Sequence, residues 1–206
     1  MQRVIAYVDG FNLYFGLRSR GWRRYYWLNV QKLVRVTLKP DQRLVFTKYF
    51  TARVSSTPDD PTKHKRQSDY LEALLTLPDL QIFYGRYRLR PQKCRNCGHV
   101  QYVPNEKMTD VNIAVELMSD AFHDNFDTAL LISGDADLTG PVSAVRGLFP
   151  EKRVVMAFPP NRDSGPLRAV ATAFFTIGRR NVRASQFPDE VPKPDGYILR
   201  RPPSWR

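Results

Sequence analysis

The chain has 206 residues, 42% of them hydrophobic and 12% aromatic, with 32 Lys and Arg against 20 Asp and Glu for a net charge of +12. That supplies one full core and excludes a disordered or fibrous chain. No apolar run approaches the roughly 20 residues that span a bilayer, and the apolar stretch after Met1-Gln2-Arg3 is too short for a secretory leader, so a cytoplasmic protein without membrane contact is expected.

The first segment, VIAYVDGFNLYFGL from Val4 to Leu17, is a short apolar strand that ends at Asp9 and Gly10 and runs through Asn12 into a helix reaching Arg20. The next stretch, Trp22 to Trp27, interleaves aromatics with Arg23 and Arg24, a composition suited to stacking bases and pairing phosphates, or equally to packing on the core. A helix follows from Asn29 to Leu38, then a strand from Leu44 to Val54. A third helix, Lys63 to Leu77, opens with Lys63, His64, Lys65 and Arg66, cations that oppose the helix dipole and so suit a phosphate-facing end or a solvated one. Residues 1–58 carry eleven Arg or Lys against only Asp9 and Asp41. A basic surface around a few acids suits a polyanion such as RNA, while charge alone is equally explained by solubility.

LQIFYGRYRL, from Leu80 to Leu89, reads as a third strand, followed by an insert from Pro91 to Pro104. The insert holds Cys94, Cys97 and His99, three candidate ligands for a structural Zn²⁺ and one short of a closed site; reduced thiols are the alternative. A long helix opens in the stretch from Asn105 to Met118, with Thr109 as its cap and with Asp110, Ile113, Ala114, Leu117 and Ala121 sharing one face. Asp127 to Ser133 is the fourth strand, Gly140 to Leu148 a helix, Arg153 to Phe158 the fifth strand, Pro166 to Ala173 a helix and Phe174 to Ile177 a last short strand. Five of sixteen prolines fall in the final 24 residues, which predicts an extended or disordered tail over 183–206 beyond a domain at 1–182.

Alternating strands and helices predict an α/β fold, a Rossmann-like three-layer α/β/α sandwich around a mainly parallel sheet. In such a sheet the strand C-termini share one edge, so Asp9 should meet the turn after the fourth strand, Ser133-Gly134-Asp135-Ala136-Asp137. A helix cap explains one of Asp135 and Asp137; a second acid beside it adds repulsion that a bound cation would relieve. Asp110, inward-facing at a helix start, is directed to the same edge. Ser133 and Asn12 are placed to orient water or substrate, and Lys107 to neutralise a phosphate or tether an acid.

The three segments YVDGFNLY, NEKMTDVNIAVELM and LLISGDADLTGPV together resemble the NYN domain of the PIN-like nuclease superfamily, in the bacterial group related to LabA and DUF88 proteins. The resemblance implies that Asp9, Asp110, Asp135 and Asp137 bind Mg²⁺ or Mn²⁺ with Asn12 beside them, and that the protein hydrolyses RNA phosphodiesters. Candidate RNA contacts are Arg23, Arg24, Lys63, Lys65, Arg66 and Lys107. Two other functions compete, a non-catalytic RNA-binding or regulatory module and a small-molecule enzyme hydroxylating a pyridine ring. Neither a flavin or nicotinamide glycine fingerprint nor a P-loop, nucleophile elbow or zinc-protease motif is present in the sequence.

Overall fold

The computed structural model describes the backbone of residues 1–93 and 96–206, and the side chains of all of these except 87–92 and 101–107. Strand β1 (Gln2–Asp9) is flanked by β2 (Gln42–Thr51) and β6 (Thr128–Ile132), and the sheet continues through β3 (Leu80–Tyr84) on one side and β7 (Arg153–Phe158) and β8 (Ala173–Thr176) on the other. Every pairing in this six-stranded sheet is parallel. The order β3-β2-β1-β6-β7-β8 reverses direction between β1 and β6, which opens a crevice at their C-terminal ends.

Both faces of the sheet are covered, as an all-parallel sheet requires. The period of two along β1 sends Val4, Ala6 and Val8 to one face and Ile5 and Tyr7 to the other. The first face packs on Leu13 and Leu17 of α1 (Gly10–Ser19), Val30, Leu33 and Val34 of α2 (Val30–Arg35), and Leu71 and Leu74 of α3 (Lys63–Leu75). The second packs on Ile113 and Leu117 of α4 (Thr109–Phe122), Val142 and Val145 of α5 (Thr139–Leu148), and Leu167 of α6 (Gly165–Val170). This is the expected α/β/α sandwich. Among the described residues no helix is long and apolar enough to cross a membrane.

Three local expectations are corrected. The third strand ends at Tyr84: β4 (Arg86–Lys93) leaves the sheet to form an antiparallel hairpin with β5 (Val100–Lys107). The insert is therefore longer than the segment from Pro91 to Pro104, and residues 105–107 belong to a strand. Second, Thr109 does not cap α4. Met108 occupies the cap position in the left-handed region, φ 78°, without a side-chain hydrogen bond, and Thr109 is the first helical residue. Third, the C-terminal segment is ordered by packing. After α7 (Arg179–Ala184), β9 (Glu190–Pro192) and β10 (Ile198–Arg200) form a hairpin, and Phe187, Val191, Leu199 and Trp205 are buried in the first core. Trp205 lies against Tyr26, Trp27 and Tyr70, and the Trp27 indole N–H donates to the Pro188 carbonyl at 2.7 Å. The prolines here stiffen a segment whose widely spaced apolar residues still reach the core.

α4 is fixed to the sheet by buried charge. Lys48 Nζ of β2 lies 2.7 Å from Glu116 and 2.6 Å from Asp120, and the Tyr7 hydroxyl donates to Asp120 at 2.6 Å. Burial and the adjacent Asp120 push the Tyr7 hydroxyl pKa well above its ordinary value, so it stays a donor. Removing the single cation leaves two carboxylates without their counter-charge. Lys48→Met is therefore expected to destabilise the fold by about 3–5 kcal/mol, and adding Asp120→Asn to recover part of that loss, both read by urea denaturation.

Candidate active site at the switch point

Asp9 ends β1 and caps α1. Its Oδ1 accepts the Asn12 backbone N–H at 2.9 Å, and its Oδ2 accepts the Ser133 hydroxyl at 2.9 Å. The parallel register that pairs Val8 with Ile132 brings the next residues, Asp9 and Ser133, across the crevice from one another. Asn12 makes a second bridge, its Oδ1 accepting the Gly134 N–H at 3.0 Å. Ser133, fully buried, accepts the Asp135 N–H at 3.1 Å, and Asp135 Oδ1 accepts the Asp137 N–H at 3.1 Å as it caps the 3-10 turn Ala136–Leu138. The capping explanation thus holds for Asp135, and for Asp9 as well. It accounts for one oxygen of Asp135 and leaves Asp110 and Asp137 unexplained.

Electrostatics links all four acids. Burial raises the Asp9 pKa to about 6; the Asn12 and Ser133 hydrogen bonds oppose the rise, and Asp110 and Asp135 add to it. Half-buried Asp110 is also raised, by burial first and then by Asp135 and Asp137. Among the described residues no Lys or Arg forms an ion pair with any of the four. The predicted acids are brought into one electrostatic cluster, with Ser133 and Asn12 as its hydrogen-bonded struts.

The described residues contain no ready-made shell of three or more His, Cys, Asp or Glu ligands. The donor chemistry nevertheless fits Mg²⁺ or Mn²⁺, hard cations that take oxygen ligands; Mg²⁺ in particular keeps several waters and uses only one or two protein carboxylates with substrate phosphate. Of the zinc candidates, Cys94 lies outside the described residues, Cys97 is an exposed free thiol and His99 is exposed.

The predicted RNA contacts are more dispersed. Arg23 and Arg24 are exposed on the 3-10 turn Arg23–Tyr25, whereas their aromatic neighbours serve the core, Tyr25 and Trp27 buried and Trp22 and Tyr26 packed against it. Lys65 pairs with Asp69 at 3.2 Å and Arg66 with Asp60 at 2.5 Å, so these two cations are already matched by acids; Lys63 is half-buried. The Lys107 side chain lies outside the described residues. Sequence reasoning missed Arg162, in the loop after β7. A Cβ on Gly134 would fall 1.7 Å from the Arg162 carbonyl oxygen, so only glycine lets this loop close over the Ser133–Asp135 turn. The signal available was the Pro159-Pro160-Asn161 turn at the end of a strand that shares the site's edge.

Asp9 gives the cluster a pH signature. Its folded-state pKa lies above the ordinary 3.8, so the metal-free wild type loses stability as pH rises from about 4 through about 6. Asp9→Asn does not titrate. Its stability relative to wild type should therefore rise across that window by on the order of 3 kcal/mol and then level off, as measured by denaturation in EDTA at pH 4 and pH 7.5. A constant difference between the two proteins would remove the burial of charge from this site.

Comparison with known proteins identifies the family and agrees with the fold. The NYN domain model matches residues 3–178. The 6-hydroxy-3-succinoylpyridine 3-monooxygenase HspA of Pseudomonas putida (strain DSM 28022 / S16) is 25% identical over 243 aligned positions, covering 98% of this chain and 75% of that protein. The crystal structure of a protein of unknown function from Vibrio parahaemolyticus superposes with a TM-score of 0.58 at 19% identity, over 90% of this chain and 96% of that one, and shares its fold. With its parallel sheet, its acids at the β1–β6 crevice and a family match over most of its length, the chain belongs to the NYN domain family and has that family's nuclease-type, PIN-like fold.

Proposed function

We propose that this protein is a metal-dependent ribonuclease that hydrolyses RNA phosphodiester bonds at Asp9, Asp110, Asp135 and Asp137. The observation that carries the reading is an acidic cluster at the switch point, without an ion-paired Lys or Arg among the described residues, in a chain whose net charge is +12. Four carboxylates without a cation repel an RNA phosphate, and with one they attract it. When bound there, Mg²⁺ or Mn²⁺ supplies Lewis-acid polarisation of the phosphoryl oxygens and a lowered pKa for coordinated water.

The chain's own groups set the geometry. Asp9 is the most tightly held ligand, its two oxygens fixed by Asn12 and Ser133 from opposite sides of the crevice. Asp135 is anchored through Oδ1 by the Asp137 N–H, which leaves Oδ2 for a cation. Asp110 enters from α4, and its repulsion from Asp135 and Asp137 is relieved when a cation binds among them. Asn12 couples the first turn of α1 to Gly134, so ligands from β1 and β6 keep one spacing.

A second reading, hydroxylation of a pyridine ring, draws on the match to the Pseudomonas enzyme, which covers 98% of this chain and 75% of that protein. The two separate by assay: RNA cleavage with Mg²⁺, Mn²⁺ or EDTA, against consumption of 6-hydroxy-3-succinoylpyridine under O₂ with a reduced electron donor. For the ribonuclease, EDTA should abolish cleavage, and Asp9→Asn, Asp110→Asn and Asp135→Asn should each lower it by roughly 10²-fold or more while circular dichroism stays native. Exposed Asp137→Asn should cost less, on the order of tenfold. Wild-type cleavage by Asp135→Asn would remove that residue from the mechanism, and a wild type inert towards RNA with either metal would overturn the reading.

A further inference from the structure

The loop after β7 holds the backbone closely up to an exposed arginine, Arg162. Pro159 and Pro160 are buried, and Asn161 adopts φ 57°, a left-handed conformation that asparagine tolerates better than most residues. The Arg162 N–H donates to the Pro159 carbonyl at 3.0 Å, closing the turn, and the Asn161 amide donates to the Ser19 hydroxyl of α1 at 3.2 Å. Two glycines receive the loop. A Cβ on Gly16 would stand 2.7 Å from Pro159 Cβ and 2.9 Å from the Pro160 carbonyl oxygen, and Gly134 leaves room for the Arg162 carbonyl. The loop is thus wedged between α1 and the Ser133–Asp135 turn.

This wedge fixes the Arg162 side chain against an aromatic. Its guanidinium carbon lies 5.6 Å from the centroid of the Phe15 ring, which remains 38% exposed and is backed by Phe11 in a near-parallel stack, 6.2 Å between centroids and 24° between planes. Among the described residues Arg162 has no carboxylate partner, although the neighbouring Asp163 pairs with Arg168. Phe11 and Phe15 flank Asn12 on α1, so the pair stands about one helical turn, roughly 5 Å, from the residue that braces Asp9. An exposed aromatic–guanidinium surface whose cation has no carboxylate partner among the described residues, on a loop backbone held close to an acidic centre, is suited to one unpaired nucleotide: the base on the flat surface, the phosphate on the guanidinium N–H groups.

We propose that Phe15 and Arg162 form a nucleotide-binding subsite that selects single-stranded over duplex RNA by taking an unstacked base next to the cleaved phosphate. The subsite rests on the ribonuclease reading. In a duplex the bases are stacked on one another and cannot reach Phe15, whereas phosphates remain available to scattered cations such as Arg23 and Arg24.

The test uses the full chain and one RNA sequence, single-stranded or annealed to its complement, carrying 2-aminopurine, whose emission falls when it stacks. Affinity is measured with Ca²⁺ in place of Mn²⁺, so that the acids have a cation available, and cleavage with Mn²⁺. Wild type should bind the single strand more tightly than the duplex and quench the probe. Phe15→Leu and Arg162→Gln should each weaken single-strand binding by roughly 5- to 100-fold and abolish the quench, with duplex affinity lowered by no more than roughly threefold, the effect of one lost surface charge, while Phe15→Tyr keeps both affinity and quench. Arg162→Gln retains the loop backbone, so it reports on the subsite even if Phe15→Leu disturbs α1. Variants that bind and cleave single strands like wild type, or that lose single-strand and duplex binding equally, overturn the subsite and leave the ribonuclease reading intact. A wild type that neither binds nor cleaves RNA overturns that reading, and the subsite with it.

Discussion

The Ser133 hydroxyl bonded to Asp9 Oδ2 is the contact on which the arrangement of the site depends. A buried carboxylate is costly to desolvate, and one hydrogen bond from each side of the crevice offsets part of that cost while locking the ends of β1 and β6 together. Asn12 repeats the bridge in the opposite sense, from α1 to the Gly134 N–H. With both in place the turn from Ser133 to Asp137 cannot shift relative to Asp9 without breaking buried hydrogen bonds. Preorganisation of this kind is what a cation-binding centre needs, because ligands that must be gathered at the moment of binding spend affinity on their own ordering.

Two groups of acids contrast within the one domain. Glu116 and Asp120 lie under the sheet with Lys48 between them and the Tyr7 hydroxyl completing the hydrogen bonds. That group contains its own counter-charge and is structural in character; it ties α4 to β1 and β2. Asp110 sits at the other end of the same helix, about 15 Å along the axis from Asp120, with other carboxylates as its charged neighbours. The helix thus holds one acid in a repulsive setting by anchoring two others in an attractive one. Met108, in the left-handed region directly before the first turn, is a further cost of roughly 1–2 kcal/mol accepted where the chain must turn from β5 to place Asp110.

The central sheet was legible because its strands are short apolar runs ending in turn residues, and β1, β6 and β7 were found within a residue or two. Asp9, Asp110, Ser133, Asp135 and Asp137 were legible for a related reason: each stands at a strand end or helix start, where parallel topology gathers side chains. The failures share a cause as well. Gly85 interrupts a run of strand-forming residues without changing its composition, so the departure of β4 into a hairpin left no trace in the period. The C-terminal segment was judged on its prolines, whereas Phe187, Val191, Leu199 and Trp205 are too far apart to register as a pattern and act only when the fold brings them to one core. Arg162 was invisible because its significance lies in a backbone contact with Gly134, a residue 28 positions earlier.

The fold does not decide the chemistry by itself, since the relatives of this chain include a protein named as a pyridine monooxygenase and one of unknown function. The site is more discriminating. Four carboxylates at one crevice, with no Lys or Arg ion-paired to them among the described residues, serve a hydroxylase only if they hold a metal. For an RNA hydrolase the two features need each other: long-range positive potential draws the polyanion in, and a local negative cluster stays compatible with it once a cation intervenes. The same pairing explains why the charges are segregated. Lys65 and Arg66 are already matched by Asp69 and Asp60, yet among the described residues no cation is matched to Asp9 or Asp135. A lysine salt-bridged to either would stabilise the free protein by quenching the repulsion, and would thereby work against the divalent cation that the proposed function requires.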